Sequence, residues 1–255
     1  MNIRTVISIV RETDRFFFDD ALRGDVTQKG ASDYVTRADL AISDFLHRRL
    51  QETYPDIAFL SEEENACIVP GQAYWILDPI DGTTNYMHGL GGMSAVSLGY
   101  CDGGEITAGI IYIPYAKELY YAEKGKGAYL NGEPIAVSKN ASLPDCLAFL
   151  EFNGYYKQDH AAALDHAKKL FLSCQDLRTL GCAAATLAYI ASGRADVFLG
   201  RYLKPWDYAA GLILVKEAGG CVSEPDGSLH ITELNRHIIA ANAAAYESFR
   251  ALINE

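Results

Sequence analysis

Two carboxylates stand three residues apart in the segment Trp75-Ile76-Leu77-Asp78-Pro79-Ile80-Asp81-Gly82-Thr83-Thr84-Asn85. The apolar run Tyr74 to Leu77 reads as a buried strand that ends at Asp78. Pro79 fixes the backbone after the first carboxylate, and Gly82 frees it after the second. The Gly-Thr-Thr-Asn that follows is small and rich in donors, suited to opening a helix or a phosphate-binding turn. Hard cations on the carboxylate side and N–H groups on the other would hold a metal-bound phosphate.

Two more acidic positions could join this pair. Glu62-Glu63-Glu64 directly follows the short apolar strand Ile57 to Leu60, so Glu62 inherits that strand's direction. Taken alone, the triplet reads more readily as a solvated charge run than as a set of ligands. Asp207 stands in Lys204-Pro205-Trp206-Asp207-Tyr208-Ala209-Ala210-Gly211. It reads as a helix N-cap or as a ligand, and the two roles are compatible. Ala209, Ala210 and Gly211 would let that helix approach another element closely.

The elements that must position these groups form two textures along the 255 residues. Val6, Ile9 and Val10 mark one side of a first helix. Gly24 to Ser32 is polar and reads as a mobile loop. Asp33 to Leu50 reads as a short extended piece and an amphipathic helix, with Leu40, Phe45, Leu46 and Leu50 at near-helical spacing. Strand patterns fill Ser94 to Tyr121, with turns at Asp102-Gly103-Gly104 and Pro114 and a hairpin signal at Asn131-Gly132 before Ile135 to Ser138. Past Lys139 to Pro144 the texture turns helical: His160 to Leu172, Gly181 to Ser192, and a last helix from Trp206 to Ala218 closed by Gly219-Gly220. An α+β half over residues 1–140 and an α/β half over 141–255, forming one compact unit, are expected.

Composition narrows the function. Hydrophobic residues make up 49% of the chain, enough for a sizeable core. No apolar run approaches the roughly 18 residues that span a bilayer, and the N-terminus lacks a signal-peptide pattern. A cytoplasmic location is the expectation. The formal charge of −11 argues against a nucleic-acid surface. It fits a demand for divalent cations, which would reverse the local sign for an anionic substrate. Six cysteines without a CxxC pair read as buried free thiols rather than a zinc site or disulfide framework. The six histidines lack metal-like spacing, and His88 reads as structural.

The segments Asp78 to Asn85 and Trp206 to Gly211 resemble the two signature motifs of the inositol monophosphatase family. The similarity extends in order through Asp33 to Asp39, Glu62-Glu63, Gly125-Lys126-Gly127-Ala128 and Glu217-Ala218-Gly219-Gly220, covering almost the whole chain. It implies a layered α/β/α/β/α sandwich and a Mg²⁺-dependent, often lithium-sensitive phosphatase, commonly a homodimer, with two or three ions per site. By resemblance Glu62, Asp78, Asp81, Asp207 and the Ile80 carbonyl would be metal ligands. Gly82 and Thr83 would offer amides to phosphate, while Asp39 and Thr83 would orient and help deprotonate the attacking water. From spacing alone Asp39 is only a surface residue in the first turn of its helix. Glu63 and Lys29 would stand just outside the ligand set, and Gly181, Cys182 and Ala183 would line the substrate pocket.

The chain departs from this pattern six residues before Trp206. Where inositol phosphatases carry a glutamate that contacts substrate hydroxyls, this sequence has Gly200 followed by Arg201. Arg201 would be either a binder of a second phosphate or carboxylate, or a surface residue on a variable loop. Gly89-Leu90-Gly91-Gly92 departs too, where relatives commonly have a proline. The expected function is hydrolysis of a small phosphorylated polyol or sugar, with no direct nucleic-acid or membrane partner. The alternatives are a phosphatase for a sugar bisphosphate, histidinol phosphate or 3′-phosphoadenosine 5′-phosphate, or a regulatory protein of the transcription machinery.

Overall fold

The computed structural model describes residues 1–63, 71–231 and 233–255, apart from the Tyr155 side chain. Glu64 and Cys67 lie outside the described residues. Helices α1 (Ile3–Arg11), α2 (Asp14–Phe17) and α3 (Asp20–Gly24) lead into strands β1 (Val26–Gly30) and β2 (Asp33–Thr36) and helix α4 (Arg37–Thr53). Strands β3 (Ala58–Ser61) and β4 (Tyr74–Asp81), helix α5 (Thr83–Met87), and strands β5 (Ala95–Asp102), β6 (Glu105–Ile113), β7 (Glu118–Glu123), β8 (Ala128–Leu130) and β9 (Glu133–Ile135) follow. The rest of the chain gives β10 (Leu147–Glu151), α6 (His160–Ser173), β11 (Asp176–Arg178), α7 (Ala183–Ala191), β12 (Val197–Leu203), α8 (Pro205–Glu217), β13 (Gly220–Ser223), β14 (Arg236–Asn242) and α9 (Tyr246–Asn254).

Strands β3 to β9 form one seven-stranded sheet in sequence order; a five-stranded sheet runs β11-β10-β12-β14-β13. Alternation of side chains across each strand gives both sheets two apolar faces, so each must be covered twice. One face of the large sheet buries Trp75, Leu77 and Ile110 against Val6, Phe17, Ile42 and Leu46 of α1, α2 and α4. Its other face, through Ile76 and Ile111, meets α7 and α8, which also cover Phe149, Phe198 and Ile238 of the small sheet. The outer face of the small sheet packs Leu150 and Ile239 on Leu170 of α6 and Phe249 of α9. The layers therefore alternate α/β/α/β/α.

Helix α8 sits unusually close to its neighbours. A Cβ added at Gly109 on β6 would lie 2.6 Å from the Ala210 carbonyl oxygen, and one at Gly99 on β5 would lie 3.1 Å from Ala209 Cβ. On the helix itself, a Cβ at Gly211 would meet Leu187 of α7 at 2.5 Å. The small residues noted after Asp207 thus serve close approach on two sides.

Several expectations are corrected. Gly24 to Ser32 is not a loop: β1 pairs antiparallel with β2 as a hairpin. Every β1 residue is exposed, so the segment lacks the apolar alternation that would have revealed it. Strand β4 does not end at Asp78 but runs through Asp81, with a register shift against β5 between those two carboxylates. Pro79 has no N–H to give to a ladder, which accommodates such a shift. Leu40 is exposed and Ala38 and Ile42 take the buried face of α4. The strand after Asn131-Gly132 stops at Ile135, and α9 follows the helix read as the last.

Candidate active site

A cavity of about 930 Å³ opens between the two sheets. Its walls bring together Lys29, Glu62, Asp78, Ile80, Asp81, Gly82, Thr83, Gly181, Cys182, Ala183 and Asp207, all singled out from the sequence. Asp39, Glu63 and Arg201 are not on that wall.

Each carboxylate is aimed by its own element. Glu62 continues β3, its amide bonded to the Leu77 carbonyl at 3.1 Å. Asp78 Oδ1 accepts from the Ile80 amide at 3.0 Å, a local turn that Pro79 stiffens. Asp81 Oδ2 accepts from the Ala184 amide at 2.6 Å, in the first turn of α7, and from the Cys182 thiol at 3.3 Å. Asp207 Oδ2 accepts from the Lys204 amide at 2.8 Å, closing the start of α8.

Burial raises all four acids, and repulsion from neighbouring acids adds to it at Glu62, Asp78 and Asp207. Burial pushes Asp81 up to about 6 even though the Ala184 amide opposes it. Glu62 rises to about 7 through burial, with Lys29 pulling down and Glu63 pushing up. Asp78 is held well above the usual carboxylate range by burial and by Glu62, Asp81 and Asp207. Asp207 is raised in the same way, by burial and then by Asp81. Four oxygen-donor acids that cannot comfortably ionise together fit a hard divalent cation, which would neutralise them. As the side chains lie, no three His, Cys, Asp or Glu side chains among the described residues already close on one point.

Asp39 is not the surface residue its spacing alone indicates. It is 1% exposed. Its Oδ2 accepts from the Thr36 amide at 2.8 Å and the Thr36 hydroxyl at 2.5 Å, a capping box at the start of α4. Its other oxygen lies 3.4 Å from the Thr83 hydroxyl, which also donates to the Ile80 carbonyl at 3.0 Å. Burial pushes Asp39 up to about 6 against the Thr36 hydrogen bonds.

Gly82 turns the chain from β4 into α5 with φ of 81°. A side chain there would strike the Met93 carbonyl at 2.6 Å, so glycine is required by both space and conformation. The first turn of α5 carries Thr83, Thr84 and Asn85, whose amides precede any intrahelical acceptor. Lys29, on the exposed hairpin, reaches Glu62 at 3.3 Å and Glu63 at 3.1 Å. Burial opposes its charge, but Glu62 and Glu63 outweigh it and hold the ammonium protonated.

Arg201 is corrected. It is a buried residue of β12, neither a loop residue nor a cavity residue. Its guanidinium pairs with Asp159 and bonds His166 Nδ1 at 2.6 Å. The bulge beside it leaves Tyr202 at φ of 54°, stacked on Tyr156 at 4.3 Å. A Cβ at Gly200 would lie 2.4 Å from Leu203 Cδ1, so the leucine occupies the space a side chain would need. His88, read as structural, stands on the wall of the cavity.

Two residues escaped notice. Glu151, at the end of β10, lines the cavity and is 4% exposed. Burial pushes it up to about 7, opposed by the Leu180 and Gly181 amides. Asn85 Nδ2 donates to the Met93 carbonyl at 2.7 Å and the Leu180 carbonyl at 2.6 Å. Asn85 lay inside the first motif; Glu151 directly follows the apolar run Leu147 to Leu150, the same strand-end placement that singles out Glu62.

Known proteins bear out this reading of the fold. The inositol monophosphatase family model matches residues 3–255. An inositol-1-monophosphatase of Mesorhizobium japonicum is 39% identical over 220 residues, covering 85% of this chain and 81% of its own. A fructose-1,6-bisphosphatase/inositol-1-monophosphatase of Thermotoga maritima is 35% identical over 230 residues, covering 89% and 84%. The crystal structure of extragenic suppressor protein suhB from Bartonella henselae superposes with a TM-score of 0.93 at 32% identity, over 99% of this chain and 98% of that one. Sequence, layers and cavity agree, and the chain belongs to the inositol monophosphatase family.

Proposed function

We propose that the chain is a Mg²⁺-dependent phosphomonoesterase acting on a small phosphorylated polyol or sugar. The observation that carries this reading is the gathering of Glu62, Asp78, Asp81 and Asp207 on one cavity opposite the Gly82-Thr83 turn. These four carboxylates and the Ile80 carbonyl would hold Mg²⁺. The bound ions would supply an activated water and neutralise charge on the phosphate and leaving oxygen.

The chain's own residues do the rest. The Gly82 and Thr83 amides orient the phosphate, and the turn that presents them admits only glycine at its first position, because the Met93 and Gly181 carbonyls occupy the space a side chain would need. Thr83 has one hydroxyl proton and two acceptors within reach, Ile80 O and Asp39 Oδ1. Donating to Asp39, it turns its lone pairs toward a water in the cavity, and Asp39 can receive the proton relayed through it. Phosphoryl transfer needs mainly positioning and charge neutralisation, so no covalent nucleophile is called for.

A substrate with a second anionic group is the other reading, favoured by Lys157 and Lys204. Both line the cavity, and their ammonium groups contact neutral oxygens, Ser32 Oγ at 2.7 Å and Asn235 Oδ1 at 2.5 Å. Leu203 over Gly200 gives an apolar surface where inositol phosphatases would have a carboxylate. A cytoplasmic setting accompanies this reading; the described cysteines are all free thiols, as a reducing compartment allows.

Phosphate release from inositol monophosphate, sugar monophosphates and sugar bisphosphates, with and without Mg²⁺, tests both readings. Mg²⁺-dependent release that Asp81→Asn abolishes is the expected result. Full activity in Asp81→Asn would refute the metal assignment, and a strong preference for inositol monophosphate would refute the inference from Gly200.

A further inference from the structure

Glu151 is a buried carboxylate spent entirely on one segment of chain. It accepts from the Leu180 amide at 3.0 Å, the Gly181 amide at 2.7 Å and the Thr186 hydroxyl at 3.0 Å. A carboxylate offers an acceptor oxygen to each of two adjacent backbone N–H groups, which a carboxamide with its single oxygen does not. From the opposite side Asn85 grips the carbonyls of Leu180 and Gly181, at 2.6 and 3.3 Å. Between these grips Gly181 takes φ of 68°, and the chain enters α7.

The far end of this clamped segment holds Asp81. The Cys182 thiol and the Ala184 amide both reach Asp81 Oδ2, and the Gly181 carbonyl stands 3.1 Å from where a Gly82 Cβ would be. There is no slack in the path: moving Leu180 and Gly181 moves the donors that orient Asp81. Building on the metal-assisted reading above, we propose that Glu151 is a positioning residue for Asp81, acting through the Leu180–Ala184 segment and braced by Asn85. The small sheet thereby sets the direction of a carboxylate that belongs to the large one.

Calorimetric titration of the whole chain with Mg²⁺ tests this. Glu151→Gln keeps the shape but must turn its amide toward one of the two N–H groups. Mg²⁺ affinity is expected to fall about tenfold, the loss typical of groups that orient a metal ligand. Asp196→Asn is the matched control. Asp196 is also buried and collects Ser138, Asn140 and the Leu147 amide, but away from the cavity. It should lower the melting temperature while leaving Mg²⁺ affinity at the wild-type value.

Wild-type affinity in Glu151→Gln, or equal losses in both variants, would overturn the proposal. A rise in substrate KM with unchanged Mg²⁺ affinity would also overturn it, by making Glu151 a substrate contact. Should Glu151→Gln not fold, Asn85→Ala decides: a weaker loss of Mg²⁺ affinity supports the clamp and none refutes it. No Mg²⁺ binding by the wild-type chain would remove the metal-assisted reading as well, whereas wild-type binding with an unaffected variant removes only the clamp.

Discussion

Asp39 and Asp207 occupy the same local position, the third residue of a helix, and each bonds back to the amide before that helix. Their surroundings differ. Asp39 has the Thr36 hydroxyl and amide to favour its charge, so burial leaves it near 6. Asp207 faces Asp81 and Glu62, and burial with their repulsion drives it well above the usual range. One capping geometry thus serves two ends: a carboxylate whose local partners sustain its charge suits a base, and one opposed by other acids suits a cation ligand.

The largest effect expected from this contrast is on Asp207. Asp207→Asn should cost more than about a thousandfold in kcat/KM, roughly 4 kcal/mol of lost charge stabilisation, and raise the Mg²⁺ concentration needed. Asp39→Asn should cost about a hundredfold at saturating Mg²⁺, the worth of a proton acceptor, with little change in Mg²⁺ requirement. Steady-state rates across a Mg²⁺ series check both. An equal rise in Mg²⁺ requirement for the two variants would break the comparison.

Stability against pH sharpens it. Asp39, Asp81 and Glu62 have folded pKa values raised to about 6, 6 and 7. Between their ordinary values and these, the folded chain keeps protons that the unfolded chain has released. Their contribution to stability is therefore present at low pH and lost as pH rises through that window. Without Mg²⁺, melting temperature should fall between about pH 4 and pH 7 through these groups, and Mg²⁺ should restore more of it at pH 8 than at pH 5. Asp207→Asn should relieve the metal-free loss more than Asp39→Asn, which scanning calorimetry would read.

The smallest expected effect on activity concerns Arg201. Arg201→Ala breaks its pair with Asp159 and empties the buried space of the guanidinium, and should lower the melting temperature. The preference between mono- and bis-anionic substrates should stay within about twofold, because the guanidinium does not reach the cavity. A selective loss on bis-anionic substrates would return Arg201 to the site.

The parts legible in the sequence were those where neighbouring residues do neighbouring jobs. Asp78 to Asn85 packs strand end, proposed ligands and turn into one short stretch, and Trp206 to Gly211 does the same for a helix start. What Glu151 holds was illegible because its partners lie near residue 180, a proximity created by β11 running parallel beside β10 and leading into α7. Strand β1 left no trace because an exposed strand needs no apolar period, and its partner β2 was legible only as the short extended piece before α4. Arg201 was misplaced because a glycine and a charge together read as loop, whereas here they sit in a bulged strand. Leu147 to Leu150 shows the remaining limit: a short apolar run buried on both faces has no period to separate strand from helix.

The glycine seams around α8 extend the reach of selection beyond the cavity. A methyl group at Gly109 would press on the backbone of Ala210, three residues beyond Asp207 on the same helix. Such a change touches no proposed ligand and no substrate surface, yet it would displace one. In a saturation screen, positions 99, 109 and 211 should score like catalytic residues. Read without the structure, they would be mistaken for a second site.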